Sequence, residues 1–163
     1  MPILLCRVDD RLIHGQVVVG WGARLGLDYI AVIDDELAAS EWEQDLYRAG
    51  LSEEIEARFP SVEEAIELIP QWAGNSEQGF ILSRDIATMR RLAESDALTD
   101  IEVNLGGLHA APGRRRVLPY LFLSDDDRTE LVKLQRANVH VSAQDVPSAR
   151  KIELQELLES RSS

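Results

Sequence analysis

Tyr29-Ile30-Ala31-Val32-Ile33, followed at once by Asp34-Asp35, is the stretch that most narrows what this chain can fold into. A strand that is apolar on both faces cannot rest one face against water. It has to lie between two covering layers, which is the position of a parallel strand flanked by helices. Gly79-Phe80-Ile81-Leu82-Ser83 has the same character. Between the two, Ser61-Val62-Glu63-Glu64 reads as a capping box, and Val62, Ala65, Ile66 and Ile69 come after it at helical spacing.

The remaining segments extend this alternation. Strands are expected at 3–8, 55–59, 101–105 and 139–143, and a strand-like stretch at 117–123 in which Pro119 implies an edge or irregular position. Helices are expected at 15–25 and 36–49. In the second, Leu37, Trp42, Leu46 and Ala49 fall near helical spacing, and Ser40 with Glu43 offers a capping-box restart. Further helices are expected at 85–95, with Ile86, Met89, Leu92 and Ala93 inward, from the acid-rich Ser124-Asp125-Asp126-Asp127 to 136 or 137, and at 152–158. The tail at 161–163 is expected to fray. Strands and helices in regular alternation with short connections predict an α/β fold: a three-layer α/β/α sandwich with an open, mainly parallel sheet of about six to seven strands. No repeat or linker interrupts it, so residues 1–163 are expected to form a single domain.

Composition closes off several classes of function. A net charge of −12 argues against nucleic acid as a general partner, since phosphate backbones are held by clustered Lys and Arg. Arg114-Arg115-Arg116 is a local exception, either a solvated edge or a surface for an acidic partner face. The one cysteine, Cys6, lies in an apolar run and reads as a small buried hydrophobe, and it leaves no intrachain disulfide. No apolar stretch approaches the ~20 residues that span a bilayer, and no leader pattern opens the chain, so a soluble, cytoplasmic protein is expected.

In folds of this kind ligands collect beyond the carboxyl ends of the strands. After the first strand comes Arg7-Val8-Asp9-Asp10-Arg11-Leu12-Ile13-His14-Gly15-Gln16-Val17, with acids, arginines and a histidine at the start of a helix. After the fifth comes Asn104-Leu105-Gly106-Gly107, then His109, and after the fourth Ser83-Arg84. A metal site is not expected, because His14, His109 and His140 are scattered and no H-x-x-x-H or C-x-x-C is present. A serine hydrolase is not expected either, because no G-x-S-x-G is present. Phosphoryl handling fits the loop. His14 supplies a nucleophilic nitrogen, Arg11 a permanently charged donor fork, and Gly15, Gln16 and Val17 supply N–H groups at a helix N-terminus. Asp9 and Asp10 either hold the imidazole tautomer or anchor Arg11. Asn104, Gly106, Gly107, His109 and Ser83 are placed where they could line the same cleft.

The run from Arg7 to Val17 resembles the signature of the IIB subunit of the mannose/fructose/sorbose class of the bacterial phosphoenolpyruvate-dependent sugar phosphotransferase system. The resemblance extends along the chain through Trp21, Asp34-Asp35-Glu36, Val62-Glu63-Glu64-Ala65, Val103-Asn104-Leu105-Gly106-Gly107 and Asp145-Val146-Pro147. It implies a protein-histidine phosphotransferase of the IIB type. His14 would be the phosphohistidine intermediate, Arg11 its phosphate-binding neighbour, and Arg7, Asp9, Asp10, Gly15 and Gln16 residues that shape the phosphate loop. It also implies a IIA protein as phosphoryl donor, IIC and IID membrane components presenting the sugar acceptor, and work at the inner face of the membrane. No metal or other cofactor is implied, and self-association into a homo-oligomer is left open. Two departures stand out: Val18-Val19-Gly20 replaces small hydroxylated residues, with Gly20-Trp21-Gly22 expected to loosen the first helix, and 114–123 is more basic and apolar than the family pattern. The alternative reading is a regulatory phospho-switch that moves no sugar. A nucleotide-binding module is the weaker third, since no glycine-rich phosphate loop succeeds the first strand.

Overall fold

Alternation of side chains along the central strands decides how the layers stack. In β2 (Tyr29–Val32), Tyr29 and Ala31 join one apolar cluster while Ile30 and Val32 join another. In β4 (Gly79–Ser83), Ile81 faces the first cluster and Phe80 and Leu82 the second. Each strand is therefore covered on both faces, as a period-two backbone flanked by two layers requires. The computed structural model describes residues 3–22 and 25–159, with the backbone alone for Gln16 and Val19.

Completing the sheet are β1 (Ile3–Val8), β3 (Glu56–Arg58), β5 (Val103–Leu105), β8 (Val141–Ala143) and β9 (Ile152–Glu153), with a separate hairpin of β6 (Arg115–Leu118) and β7 (Leu121–Leu123). Seven strands run in the order β3-β2-β4-β1-β5-β8-β9, parallel from β3 to β8 and antiparallel at β9. The first layer is built by α3 (Val62–Ala73), α4 (Ile86–Glu94), α5 (Asp125–Arg136) and α6 (Leu154–Glu159). The second holds Leu12, Ile13, Val17, Trp21 and Leu27, with Leu37 from α1 (Asp35–Ala38). The predicted α/β sandwich with its mainly parallel sheet is the observed architecture. The Ser61–Glu64 capping box forms in both directions, and Cys6 is fully buried with its Sγ 3.3 Å from Met89 Sδ.

Four expectations change. The 117–123 stretch is not one strand but the turn-out of a hairpin, pairing Leu118 with Leu121 across Pro119-Tyr120. Proline has no N–H for a ladder and a fixed φ, so the chain turns there. The expected 36–49 helix breaks into α1 and α2 (Glu41–Ala49). Ser40 takes the N-cap position without a side-chain cap bond, so the expected capping box there is absent. Gln44 reaches back instead, donating to Leu37 O at 2.8 Å and Ala38 O at 3.2 Å, and satisfies the orphan carbonyls of α1. Trp42 and Leu46 consequently face solvent.

The terminal segment begins as β9, because the open edge of β8 offers Ile152 and Glu153 a ladder before the helix starts. The first helix winds in the wider π pattern over Gln16–Gly22, where Gly20 and Gly22 lower the resistance to irregular backbone. Residues 23–24 of that expected helix, and the tail at 161–163, lie outside the described residues.

Candidate functional site

β1 lies between β4 and β5, and the connections out of β1 and β4 leave in opposite directions, so the strand order reverses there. Crevices at the carboxyl end of such a reversal are where open α/β sheets bind ligands. The loop after β1 is pinned over both neighbours. The Asp9 N–H donates to Ser83 O at 2.9 Å, the Asp10 N–H to Gly107 O at 2.8 Å, and the Gly106 N–H to Val8 O at 2.7 Å. Leu12 then takes a left-handed conformation, φ 57°, with its side chain buried beside Ile13, Val17 and Trp21. That backbone costs a leucine roughly 1–2 kcal/mol, which burial of the side chain, worth about 1.5–3 kcal/mol, offsets. The resulting turn brings Arg11 and His14 back onto Asp9.

Asp9 is fully buried and is the hub of the loop. Its Oδ1 accepts from the Arg11 backbone N–H at 3.1 Å and from Arg11 Nε at 3.0 Å. Its Oδ2 accepts from Arg11 Nη2 at 3.0 Å and stands 3.3 Å from His14 Nε2 and 3.5 Å from Arg7 Nη2. Burial alone would push this carboxyl up, but the Arg11 hydrogen bonds and the charges of Arg7 and Arg11 more than reverse that and hold it below the ordinary carboxylate range. The same hydrogen bonding raises Arg11 further above its already high value. A carboxylate only accepts, so Nε2 is the His14 nitrogen that carries the hydrogen. The Val17 N–H donates to His14 Nδ1 at 3.3 Å, which places the ring's lone pair there, at the start of the π-helical turn. His14 is half-buried and Gly15 exposed, with nothing within 4 Å of where a Gly15 Cβ would stand.

Arg7 sits beneath this layer rather than in the cleft. It is fully buried, with its guanidinium 5.0 Å from the Trp21 ring centroid. It donates to Asn104 Oδ1, and at 2.8 Å each to the carbonyls of Gln144 and Asp145. Desolvation lowers its pKa, and the Asp9 charge opposes that shift. The two glycines after β5 are explained by the two arginines. A Cβ on Gly106 would lie 2.3 Å from Arg7 Nη2, and one on Gly107 would lie 3.0 Å from Arg11 Nη2. Ser83, fully buried, turns its Oγ to Asp85 O and serves the loop through its carbonyl.

Asp10 points the other way and ties the loop to the 106–114 segment. Its Oδ2 accepts the His109 N–H at 2.8 Å, and its Oδ1 lies 2.6 Å from His109 Nδ1. Arg114 reaches His109 O at 3.0 Å and Asp127 at 3.4 Å. Beside this contact is a cavity of about 230 Å³ lined by Arg11, Gly107, His109, Pro119, Tyr120, Phe122 and Asp145. His14, Arg11 and Asp9 are thus brought together, with Asn104 and Arg7 below them and His109 with Asp10 to one side. The Gln16 side chain lies outside the described residues. Sequence reasoning missed the Gln144 and Asp145 carbonyls, which carry no side-chain signal, and the wall formed by Tyr120 and Phe122, which depends on the hairpin turn. Among the described residues no group of three or more His, Cys, Asp or Glu is placed to hold a metal ion.

The geometry can be set beside known proteins. Over residues 3–163 the chain matches the family described as PTS system sorbose subfamily IIB component. It is 33% identical over 152 residues to the N-acetylgalactosamine-specific phosphotransferase enzyme IIB component 1 of Escherichia coli K12, covering 91% of this chain and 94% of that protein. It is 28% identical to the mannose-specific EIIAB component of the same strain, covering 97% of this chain but only 49% of that longer protein. Among solved structures, the crystal structure of the N-acetylgalactosamine-specific IIB component 1 from Escherichia coli superposes with a TM-score of 0.85 at 32% identity, covering 93% of this chain and 99% of that one. The IIBSor domain of the Klebsiella pneumoniae sorbose permease shares the fold with a TM-score of 0.88, at 23% identity and 99% coverage of both chains. A histidine loop seated on a buried carboxylate, and a match that runs almost the whole length of the sequence, lead to one assignment: the chain belongs to the sorbose subfamily of IIB components of the sugar phosphotransferase system.

Proposed function

We propose that the 1–163 chain is a single phosphocarrier domain that takes a phosphoryl group onto His14 from a IIA protein. It then passes that group to a sugar hydroxyl presented by IIC and IID membrane components, working at the inner face of the membrane through those partners. The observation that carries this reading is the clamped imidazole, with Nε2 facing Asp9 at 3.3 Å and Nδ1 facing the Val17 N–H at 3.3 Å. The lone pair on Nδ1 is the nucleophile, released when the Val17 N–H turns from the ring to a phosphoryl oxygen. It attacks phosphorus as the donor's P–N bond breaks, and the ring, keeping its Nε2 hydrogen, becomes cationic. Asp9 stabilises that cation and so keeps the phosphoryl group transferable rather than trapped. Arg11 is 31% exposed, enough to turn one edge of its fork to the phosphoryl oxygens. The Gly15 and Gln16 N–H groups precede those of Val17 and Val18, which are taken by His14 Nδ1 and His14 O, and offer further donors at the positive end of the helical segment. The relatives carry N-acetylgalactosamine and mannose in their names on one fold, so the acceptor class supported for this chain is a hexose or amino-hexose hydroxyl.

Incubation with a phosphorylated mannose-class IIA partner tests the reading. The wild type should gain one acid-labile phosphate per chain and His14→Ala none, while Arg11→Ala should load at least tenfold more slowly, a loss larger than the destabilisation that follows from taking two donors off the buried Asp9. Label that persists on His14→Ala would overturn it.

A further inference from the structure

Arg115 and Arg116 are left without a task by the chemistry of His14. Arginine in this chain otherwise holds carboxylate: Arg48, Arg58, Arg84, Arg90, Arg91 and Arg114 each pair with an Asp or Glu. Arg115 and Arg116 are exposed and, among the described residues, pair with none, in a chain of net charge −12. We propose that they make the β6–β7 hairpin a docking lip for the phosphoryl donor, receiving an acidic surface around the donor's phosphorylated side chain. The proposal rests on the phosphocarrier reading of His14 and adds the surface by which its donor is chosen and oriented.

The hairpin is fastened to the rim that carries the phosphoryl loop. The Leu108 N–H donates to Tyr120 O at 3.0 Å and the Phe122 N–H to Leu108 O at 2.9 Å. Arg114 holds His109 O at 3.0 Å and stands 3.8 Å from Asp10 Oδ2. Arg116 is the register partner of Phe122, and residues paired across an antiparallel ribbon project from the same face. Phe122 lines the cavity of about 230 Å³ that Arg11 also lines. Arg116 therefore stands on the hairpin face that shares a cavity with the phosphate-binding arginine. Arg115, one residue earlier, alternates to the other face, so the ribbon is basic on both sides.

A donor that brings its phosphorus to His14 Nδ1 has to cover this rim. A specific interface takes about 800 Å² from each partner, a disc of roughly 16 Å radius when centred on His14. On this side such a disc crosses Arg11 and then the cavity that the hairpin walls. What the donor brings is anionic, since a phosphorylated side chain carries a charge of about −2. The acids nearest the hairpin do not cancel the lip. Asp10 and Asp127 are held by Arg114, and Asp125 and Asp126 lie in the first turn of α5, where the helix N-terminus offsets them. The rest of the chain, with its excess of acids, repels an anionic face, so a basic lip beside the loop selects both the partner and its orientation.

Rapid-quench loading at limiting phosphorylated mannose-class IIA partner gives the second-order rate constant. Arg115→Glu/Arg116→Glu should lower it on the order of tenfold at low ionic strength. The gap should close to within about twofold at ~1 M salt, where the Debye length is about 3 Å. The control is Lys133→Glu/Arg136→Glu, an equal change of charge in the last turn of α5. That helix leads into the parallel strand β8 and so ends at the far end of the sheet from the loop, and this variant should load like the wild type. Should a reversed pair not fold, glutamine at the same positions keeps the comparison, with a fall of about threefold. Equal slowing by the two pairs would reduce the effect to net charge and overturn the proposal. Slowing that salt leaves intact, or unchanged loading by the hairpin variant, would overturn it as well. Unchanged loading together with loss of binding to phosphatidylglycerol vesicles would assign the two arginines to a lipid surface instead. A wild type that gains no phosphate would sink the carrier reading itself.

Discussion

Replacing Asp9 by Asn removes one charge and no volume, and the surrounding geometry sets the consequences. The carboxylate meets the Arg11 N–H and Nε at Oδ1, and Arg11 Nη2, Arg7 Nη2 and His14 Nε2 at Oδ2. All of these can donate. An amide has only one oxygen, so its NH2 must face donors whichever way it is flipped: two from Arg11 on one side, or the groups of Arg11, Arg7 and His14 on the other. Arg11 is partly exposed and can be rehydrated, so its share of the loss is small. Arg7 is fully buried and cannot be. Removing the partner of a buried charge costs about 3–5 kcal/mol, a large part of the roughly 5–15 kcal/mol that holds a domain folded. In a chain of this size that lowers the melting temperature by roughly 6–20 °C.

The chemistry should suffer separately. With an amide in place of the carboxylate, His14 loses its reason to keep hydrogen on Nε2, and the tautomer with hydrogen on Nδ1 has no nucleophile at the Val17 end. Loading of the folded variant should fall roughly 100-fold or more. Urea unfolding gives the first quantity, and rapid-quench phosphorylation below the transition gives the second, with nitrogen NMR of the ring reporting the tautomer directly. The pH dependence has a definite sign. Asp9 is held below its unfolded pKa of ~3.9, so its stabilisation is present above that value and is lost as pH falls through the lower folded value. Asp9→Asn should therefore lose stability at neutral pH and show a flatter acid limb. A variant that unfolds within about 1 kcal/mol of wild type and loads at the wild-type rate would refute the hub assignment.

Further predictions concern neighbouring features. Gly106→Ala should cost about 3 kcal/mol or more, because its methyl meets a buried guanidinium at 2.3 Å, whereas Gly107→Ala meets the movable Arg11 at 3.0 Å and should change loading more than stability; equal denaturation midpoints would contradict the difference. Ser124→Ala should cost about 0.5–2 kcal/mol by opening the reciprocal capping box with Asp127, read from urea melts. The Cys6 thiol, whose pKa burial pushes up, should resist alkylation in the native protein and react only as fast as the chain unfolds, a rate that mass spectrometry can monitor.

How much could be read from the residues depends on how local the causes are. β2 and β4 were legible because burial on both faces writes a continuous apolar run, and α3 because its capping box and apolar face lie within one short stretch. The 117–123 hairpin and β9 were not, since one depends on which side of Pro119 the chain pairs and the other on a free edge supplied by β8. The same distinction divides the site. His14, Asp9 and Arg11 meet within one turn of chain, so their association is visible in sequence. The carbonyls that hold Arg7 lie more than 130 residues away and have no side-chain signature.

The two adjacent acids occupy the boundary between these cases. Neither composition nor spacing says which of them faces the imidazole, but strand parity does. Cys6 and Val8 point into the larger apolar cluster, so residue 7 must point to the opposite face, and residue 9, two further on, continues on that side as the strand ends. Arg7 and Asp9 are thereby placed together under the loop, close enough for their side chains to meet at 3.5 Å. Asp10, of opposite parity, is turned toward the segment after β5, where it finds His109. One period-two rule, anchored on a single buried cysteine, thus separates the carboxylate that lies under the His14 imidazole from the one that faces the segment after β5.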